Sequence, residues 1–461
     1  MARCPTARIL IAAITFTVAL QAHGAESLIE VYQRALQSDP VIREAEANYL
    51  AALEAAPQAR SAVLPQLDLT SNYSDTNSSG SSTFPQFDPT TGEFINRTTN
   101  SKTDSQTLNW QLQLRQTLFR WDQFVALHQA EKRASQASAN YEAAKQQLLL
   151  RVGDTYFNVL AAEDALSAGV GAREAIGRQL EQAEKRFEVG LIAITDVQEA
   201  KAAHDLAIAA EIPAKRVLAS AQDAIRDITG EYLQELAFPN EQLPMKQPDP
   251  SDEQAWVDTA QDQNLALIAS RLGAEIASDD VRNRRSAYYP TLDLVAGRGD
   301  RDTSAFRTNN GIGGNADSDS VDDTISLQFS MPLFTGGFTS SRVREAVYRH
   351  RAAREALERV ARETERQTRD AYLGVLSEIS RVQALRQALE SSETALKATE
   401  AGFEVGTRTT VDVLASRRVL LQAETNYARS RYDYILNVLR LKQAAGILNV
   451  EDLEEVDAWL N

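Results

Sequence analysis

The sequence is poor in the residues that carry chemistry and in those that fill large cores. It has one cysteine, and aromatic residues make up 7% of the chain. Cys4 lies at the amino terminus, ahead of the apolar run 9–20. The chain beyond that run therefore has no disulfide, no thiolate nucleophile and no cysteine metal ligand.

Motifs typical of enzymes are also missing. The histidines are isolated, without a second metal ligand at helical spacing: His23, His128, His204 and His350. There is no Gly-x-Ser-x-Gly sequence, no phosphate loop and no zincin motif. Four aspartates between 317 and 323 resemble a calcium loop, but the required glycine and terminal glutamate are absent. We expect a protein that is not an enzyme and that needs no metal and no cofactor.

Clustered positive charge and long hydrophobic runs are absent as well. The net charge of −16 argues against nucleic acid as a partner, because phosphate binding requires clustered lysine and arginine. The run 9–20 follows Arg3 and Arg8 and precedes small residues at 22 and 24, which is typical of a secretory signal peptide at 1–24. The alternative, a membrane anchor, requires a longer run. No later run is apolar enough for a membrane helix, so any membrane span is expected to consist of strands.

What the sequence does contain is one pattern, present twice. The segment 61–69 (SAVLPQLDL) returns as 286–294 (SAYYPTLDL), at an offset of 225, and 187–190 (FEVG) returns unchanged as 403–406, at an offset of 216. About ten extra residues therefore lie in the first copy, between its two strands. The predicted organisation is a signal peptide (1–24), a first repeat (25–238), a proline-rich joint (239–250), a second repeat (251–445) and an acidic tail (446–461).

Each repeat is predicted to contain a helix, a strand, a loop, a strand, a very long helix, a turn and a helix. The elements are 27–60, 64–73, 107–119, 121–189 and 195–229 in the first copy, and 252–285, 291–297, 324–334, 338–405 and 410–445 in the second. At about 1.5 Å per residue the long helices reach roughly 100 Å, too long for a compact domain. The segments 71–104 and 298–323 are rich in serine, threonine, asparagine and glycine and are predicted to be solvated loops.

The predicted strands alternate apolar and polar residues, which gives each strand one apolar and one polar face. Their length of about ten residues suits a tilted membrane strand. Four such strands cannot close a barrel, and unpaired strand edges are not tolerated in lipid. We therefore favour a barrel shared by several chains. The alternatives are a soluble sheet covered by helices and, for the helices alone, a rod-like coiled coil that leaves the strands unexplained.

The segments 186–198 (RFEVGLIAITDVQ) and 402–414 (GFEVGTRTTVDVL) resemble the TolC family of outer-membrane channel-tunnels. The resemblance covers essentially the whole chain after the predicted signal peptide. It implies a homotrimer with a twelve-stranded β-barrel in outer-membrane lipid, continued by a twelve-helix α-barrel through the periplasm. It also implies an exit duct for multidrug efflux or type I protein secretion. A periplasmic adaptor protein and an inner-membrane efflux pump or ABC transporter would open this duct at its periplasmic end.

That family closes its periplasmic end at the helix turns, by polar links between hairpins and by rings of carboxylates. Carried over, the resemblance implies turns at Gly190 and Gly406, an acidic ring at Asp412, and four link residues: Thr195, Asp196, Arg408 and Arg431. Phe403 stands where well-known members have a tyrosine, and Ala415 where they have a second ring aspartate. The resemblance therefore implies a gate with fewer hydrogen bonds and a single acidic ring.

The same residues also have an ordinary structural interpretation. Thr195 with Gln198 is predicted to form a capping box, and Asp412 follows Thr409 by three residues, in the first turn of a helix. The helix dipole stabilises such a carboxylate without any further function. In a threefold assembly, however, each Asp412 would face two copies of itself. Three carboxylates in a narrow mouth favour cations and raise their own pKa by repulsion.

Two other functional classes remain open from the sequence. An autonomous porin has membrane strands but does not need helices of this length. A periplasmic adaptor has one coiled-coil hairpin inserted into a lipoyl-like domain, whereas two hairpins and four strands are predicted here. We expect an efflux and secretion conduit that performs no chemistry.

Overall fold

The computed structural model describes residues 25–233, 235–239 and 243–460. The predicted signal peptide at 1–24 and part of the predicted joint lie outside the described residues. The helices are α1 Leu28–Ser38, α2 Pro40–Leu53, α3 Ala55–Ser61, α4 Trp121–Glu188, α5 Ile194–Thr229, α6 Glu253–Gln263, α7 Leu265–Ser286, α8 Phe338–Glu404, α9 Thr410–Ala445 and α10 Val450–Asp457. The strands are β1 Gln66–Asp88, β2 Glu93–Phe119, β3 Thr291–Asn309, β4 Ile312–Asn315 and β5 Ser318–Ser330.

The predicted helices 27–60 and 252–285 are each interrupted by a capping residue. Asp39 and Asn264 have extended backbones, with ψ of 120° and 119°. The residue before a proline disfavours the helical conformation, which explains the break between Asp39 and Pro40. Both side chains accept a hydrogen bond from the first turn of the next helix, at 3.2 Å and 3.0 Å. Each predicted helix is therefore a chain of shorter ones, α1 to α3 and α6 to α7.

The strands form one antiparallel sheet with an uncovered apolar face. β1 pairs with β2, β2 with β3, and β3 with both β4 and β5, so β4 and β5 share one position at the edge. The pairing keeps apolar residues on one face, because Leu114 pairs with Leu67 and Ala296, and Ala296 pairs with Ile325. Residues on this face have exposed fractions from 36% to 83%: Leu67, Leu69, Leu112, Leu114, Ile325, Leu327 and Phe329. In the described residues no helix covers this face, which argues against the soluble-sheet alternative.

The strands are much longer than predicted. β1, β2 and β3 contain 23, 27 and 19 residues. The prediction of solvated loops at 71–104 and 298–323 is therefore wrong, because most of both segments is strand. Their polar side chains face each other across the hairpin, as where the hydroxyl oxygens of Thr83 and Thr98 lie 2.9 Å apart. The chain reverses at Gly92 and Gly311, where φ is 73° and 85°.

The helices pack side by side along the molecule and share a core near their middle. α4 packs on α7 and α5, and α8 packs on α7 and α9. The core lies where the central turns of α4 and α8 meet α1, α10 and the end of α9, and its fully buried members include Leu148, Tyr156, Phe157, Leu160, Ile435, Leu439 and Leu453. We call this region the equatorial belt. Its α9 members run from Tyr432 to Ala445, which places the belt roughly 30–50 Å from the start of α9, at about 1.5 Å per residue. Among the described helices, none combines the length and the apolarity that crossing a membrane requires.

Candidate gate at the helix turns

Both helical hairpins turn in the same way. α4 is followed by Gly190 and α8 by Gly406, with φ of 77° and 81°. In each turn the glycine N–H donates to the carbonyl three residues back, at 2.8 Å and 3.1 Å. The next N–H donates to the carbonyl five residues back, at 2.9 Å and 2.8 Å. This pair of bonds is a Schellman cap, and its left-handed residue favours glycine because a Cβ would be strained there.

Thr409 and Asp412 cap α9 reciprocally. The Asp412 N–H donates to Thr409 Oγ1 at 3.3 Å, and Asp412 Oδ2 accepts from the Thr409 N–H at 2.9 Å. The Thr409 hydroxyl also donates to Asp412 Oδ2, at 3.0 Å. These two donors, the N–H first, lower the pKa of the Asp412 carboxyl, and the positive charge of Arg408 lowers it further. Asp412 is thus both a helix cap and an ionised carboxylate beside the turn.

The first hairpin is capped differently from the prediction. α5 begins at Ile194, and Ala193 occupies the cap position. Asp196 Oδ2 accepts from the Ala193 N–H at 3.3 Å, but alanine has no side-chain acceptor to return the bond. The predicted capping box of Thr195 with Gln198 is wrong, because the helix starts before Thr195 and Asp196 reaches back to its cap.

We expect Thr409→Ala and Ala193→Ser to have opposite effects on local stability. The first change removes a side-chain acceptor at the start of α9 and should destabilise that turn by about 1 kcal/mol. The second supplies an acceptor at the start of α5 and should stabilise that turn by about the same amount. Hydrogen–deuterium exchange of the first-turn amides should become faster in α9 and slower in α5. Unchanged exchange in both variants would show that the two cap positions are misassigned.

Arg408 lies over Gly402 within the second hairpin. A Cβ added at Gly402 would lie 2.7 Å from Arg408 Cγ, so the glycine provides the space for the arginine stem. Thr195 is exposed and Asp196 half-buried on the first hairpin. In the described part of the chain, Asp196 accepts from the Ala193 N–H rather than from Arg408. The structure therefore brings Arg408 close to Asp412 but does not join it to the first hairpin of the same chain.

A contact that the sequence analysis missed does join the two hairpins. The Arg186 guanidinium at the end of α4 lies over the ring of Phe403 at the end of α8, 4.7 Å from its centroid. A cation over an aromatic face is attracted by the negative charge density of the ring. Positions 186 and 402 are equivalent in the two copies, so the arginine is specific to the first hairpin, but nothing in the sequence pattern indicates its contact with Phe403. Phe403, where the family resemblance implies a tyrosine, is thus contacted by the Arg186 guanidinium.

Arg431 lies far from the turns. It follows Asp412 by nineteen residues on α9, which corresponds to about 28 Å. Its Nη2 donates to Pro239 O at 3.4 Å, and its guanidinium lies 5.8 Å from the centroid of the Tyr427 ring. The structure places Arg431 at the equatorial belt and separates it from Thr195, Asp196 and Arg408.

These features define a class of protein. Long paired helices carry capped polar turns at one end and a sheet with an exposed apolar face at the other, which is the architecture of an outer-membrane channel. The family model for the "Outer membrane efflux protein" family matches residues 31–231 and 256–447 of this chain. The chain belongs to the outer membrane efflux protein family, and it is an outer-membrane protein.

Individual relatives agree with this assignment. The chain is 37% identical to the outer membrane protein TolC of Vibrio cholerae over 436 residues, which cover 95% of this chain and 94% of that protein. It is 27% identical to the alkaline protease secretion protein AprF of Pseudomonas aeruginosa, over 94% of this chain and 86% of that protein. The crystal structure of the Campylobacter jejuni CmeC outer membrane channel matches the fold with a TM-score of 0.73 at 16% identity, covering 100% of this chain and 98% of that one. These relatives are named as channels and secretion proteins rather than as enzymes.

Proposed function

We propose that three copies of this chain form one closed β-barrel in the outer membrane. The sheet carries this proposal, because its apolar face is exposed and, in the described residues, β1 and β5 each pair on one side only. Unpaired backbone groups are not tolerated in lipid, so β5 of one copy pairs with β1 of the next. Three copies of four strand positions give twelve strands. Three copies of α4, α5, α8 and α9 give a barrel of twelve helices.

Disulfide cross-linking between copies tests this arrangement. The chain has no cysteine other than Cys4, which lies in the predicted signal peptide, so introduced thiols are the only ones after its removal. Leu67→Cys on β1 is combined in turn with a cysteine at each apolar-face position of β5 between 319 and 329. We expect one or two neighbouring combinations to give covalent dimers and trimers in membranes, and each single-cysteine variant to give monomers. A failure of every combination would contradict a barrel closed between copies.

Each copy is an internal duplication. The family matches the chain in two segments, and the two helix turns share the same hydrogen bonds, which supports two repeats. β1 and β2, with 23 and 27 residues, are longer than β3 and β5, with 19 and 13, which supports extra residues in the first copy. The boundaries proposed are a first repeat at 25–238, a joint at 239–250, a second repeat at 251–445 and an equatorial tail at 446–461.

The assembly is an exit duct that performs no chemistry. It passes substrates out through the outer membrane for efflux, for type I secretion or for both. A periplasmic adaptor protein and an inner-membrane pump or ABC transporter engage and open its helical end. The family, together with the names of TolC and AprF, supports this function. Helices of about 100 Å suit a conduit that extends towards its partners, whereas the alternative of an autonomous porin finds no support among the relatives.

The helix turns form the gate of this duct. In the trimer, Asp412 contributes one carboxylate per copy to a single acidic ring. Thr195 and Asp196 of one hairpin face Arg408 of a neighbouring hairpin, and Arg431 forms a further link at the equatorial belt. The polar character and the exposure of Thr195 and Arg408 support a role between hairpins, because both side chains are available to a neighbour.

Arg186→Gln is expected to raise the open fraction of the channel about two- to fivefold, because it removes a cation–π contact of about 0.5–1 kcal/mol between the hairpins. Single-channel recording in planar bilayers would measure the open fraction. Lys185→Gln is the matched control, since it removes one positive charge at the neighbouring residue, and Lys185 pairs with Glu181 of its own helix. Equal opening in both variants would assign the effect to charge and not to the contact with Phe403.

A further inference from the structure

A cavity of about 410 Å³ lies where the sheet meets the helices. Its walls come from the first turns of α4, the last turns of α7 and the segment between α7 and β3. α4 begins two residues after β2 ends, and the cavity therefore lies at the end of the sheet where the helices begin. If the apolar face of the sheet lies in lipid, as the proposed function requires, the cavity lies at the level of the boundary between lipid and water on the side of the helices.

Part of the cavity wall is aromatic and exposed. Trp121, Phe124 and Tyr289 have exposed fractions of 45%, 45% and 48%. The rings of Trp121 and Tyr289 meet edge to face, with centroids 6.5 Å apart. Aromatic side chains with an apolar body and a polar tip are enriched at the level of lipid headgroups. This wall suits the glycerol region and the upper acyl chains of a lipid.

Another part of the cavity wall is basic. Arg282 and Arg285 both line the cavity, and in the described residues the Arg285 guanidinium has no carboxylate partner. The carboxylate of the cavity, Asp279, is buried and already paired, with Lys132 Nζ at 3.0 Å and Arg282 Nη1 at 3.1 Å. The histidine of the cavity, His128, has its Nδ1 atom 4.0 Å from Glu131 Oε2. The cavity is therefore lined by two guanidinium groups with unused N–H donors and by one carboxylate, Asp279, whose charge is already balanced. Such a lining suits a phosphate group.

We propose that this cavity binds the headgroup of an anionic phospholipid in the membrane leaflet next to the helices. Arg282 and Arg285 hold the phosphate, and the aromatic wall holds the glycerol and the first part of the acyl chains. The inference rests on the proposed function, because the lipid reaches the cavity only when the sheet is in the membrane. It adds a lipid class and a site to that function.

Tryptophan quenching by brominated lipids tests the proposal on the full chain in vesicles. Trp110→Phe leaves Trp121 as the tryptophan near lipid, and Trp121→Phe leaves Trp110 on the apolar face of the sheet. Trp256 and Trp459 lie at the equatorial belt and give a constant background. Each variant is placed in phosphatidylcholine vesicles with brominated phosphatidylglycerol or brominated phosphatidylcholine at equal mole fraction. We expect Trp121 to show about tenfold enrichment of the anionic lipid, the size that one or two arginines give at an anionic surface, and Trp110 to show none.

Arg282→Gln combined with Arg285→Gln should abolish the preference of Trp121 for the anionic lipid. Arg284→Gln combined with Arg342→Gln is the matched control, because it removes the same charge at the same level, where both arginines are paired with Asp280 and Glu345. Loss of the preference in the control as well would overturn the proposal in favour of general surface charge. Competition by inorganic phosphate, at matched ionic strength, would overturn it in favour of a free anion.

The two failures are distinguishable. Quenching of Trp110 with equal quenching of Trp121 by both lipids would overturn the lipid site alone. Quenching of Trp110 with no quenching of Trp121 would also overturn it, and would indicate that a neighbouring copy covers the cavity. If neither lipid quenches Trp110, the sheet is not in the membrane, and the proposed function fails first.

Discussion

Gly446→Ala is expected to destabilise the protein by about 2–5 kcal/mol, the sum of left-handed strain and an overlap with backbone atoms. Gly446 ends α9 with a φ of 82°. A Cβ at this position would overlap the carbonyl group of Gln263 and would lie 2.7 Å from Asn264 Cα. Backbone atoms cannot relieve the overlap by a change of rotamer, as the end of a side chain can. The contact joins the end of α9 to the break between α6 and α7, so the equatorial belt would have to shift.

Gly406→Ala is the matched control for that prediction. Its φ is 81°, but a Cβ there would meet no atom within 4 Å. We expect only the cost of left-handed strain, roughly 1–2 kcal/mol. Thermal unfolding followed by circular dichroism of the two purified variants would measure the difference. Equal losses of stability would contradict the close packing of α9 against Gln263.

Asp412→Asn is expected to weaken the block of channel conductance by trivalent cations about tenfold or more, because it removes every charge of the proposed ring. Asparagine can still accept a hydrogen bond from the Thr409 N–H, so the cap of α9 is largely kept. Glu404→Gln is the matched control, since it removes one exposed carboxylate per copy beside the same turn, at a residue outside the proposed gate. We expect the block to persist in that variant. An unchanged block in Asp412→Asn would remove Asp412 from the cation site.

The cation block should also depend on pH, and the hydrogen bonds from Thr409 to Asp412 should shift the loss of block to lower pH. Thr409 lowers the pKa of Asp412 within one chain, so the carboxylate stays charged below the usual range for an aspartate. Cation block should therefore disappear as the pH falls through the pKa of the ring, which the Thr409 donors lower and the repulsion between the three carboxylates raises. Thr409→Ala removes one of these donors and should shift the loss of block to higher pH. A pH profile of the block that is the same with and without the Thr409 hydroxyl would show that the cap does not control the charge.

Much of this architecture follows from local sequence rules. The alternation of apolar and polar residues predicts β2 and β5. The long uninterrupted runs of helix-forming residues predict α4 and α8. Other features depend on partners that are distant in the sequence. The serine and threonine residues of 71–104 have loop-like composition but pair across a hairpin. The breaks at Asp39 and Asn264 are local, but they lie within segments of helical composition, which hides them.

The candidate gate likewise contains some features that short sequence patterns predict and others that they do not. The glycine turns and the bond between Thr409 and Asp412 can be read from short spacings. The cap at Ala193 could not be predicted, because alanine gives no capping signal and only the position of Asp196 reveals it. The contact of Arg186 with Phe403 joins residues 217 apart in the numbering, and no local pattern predicts it.

We propose that one chain supplies too little sheet to seal a pore, so that three chains combine. Native mass spectrometry of the complex extracted from outer membranes in mild detergent would count the copies. We expect a single assembly with three times the mass of the mature chain, recovered from the membrane fraction. A mature chain recovered as a monomer from the soluble fraction would contradict it.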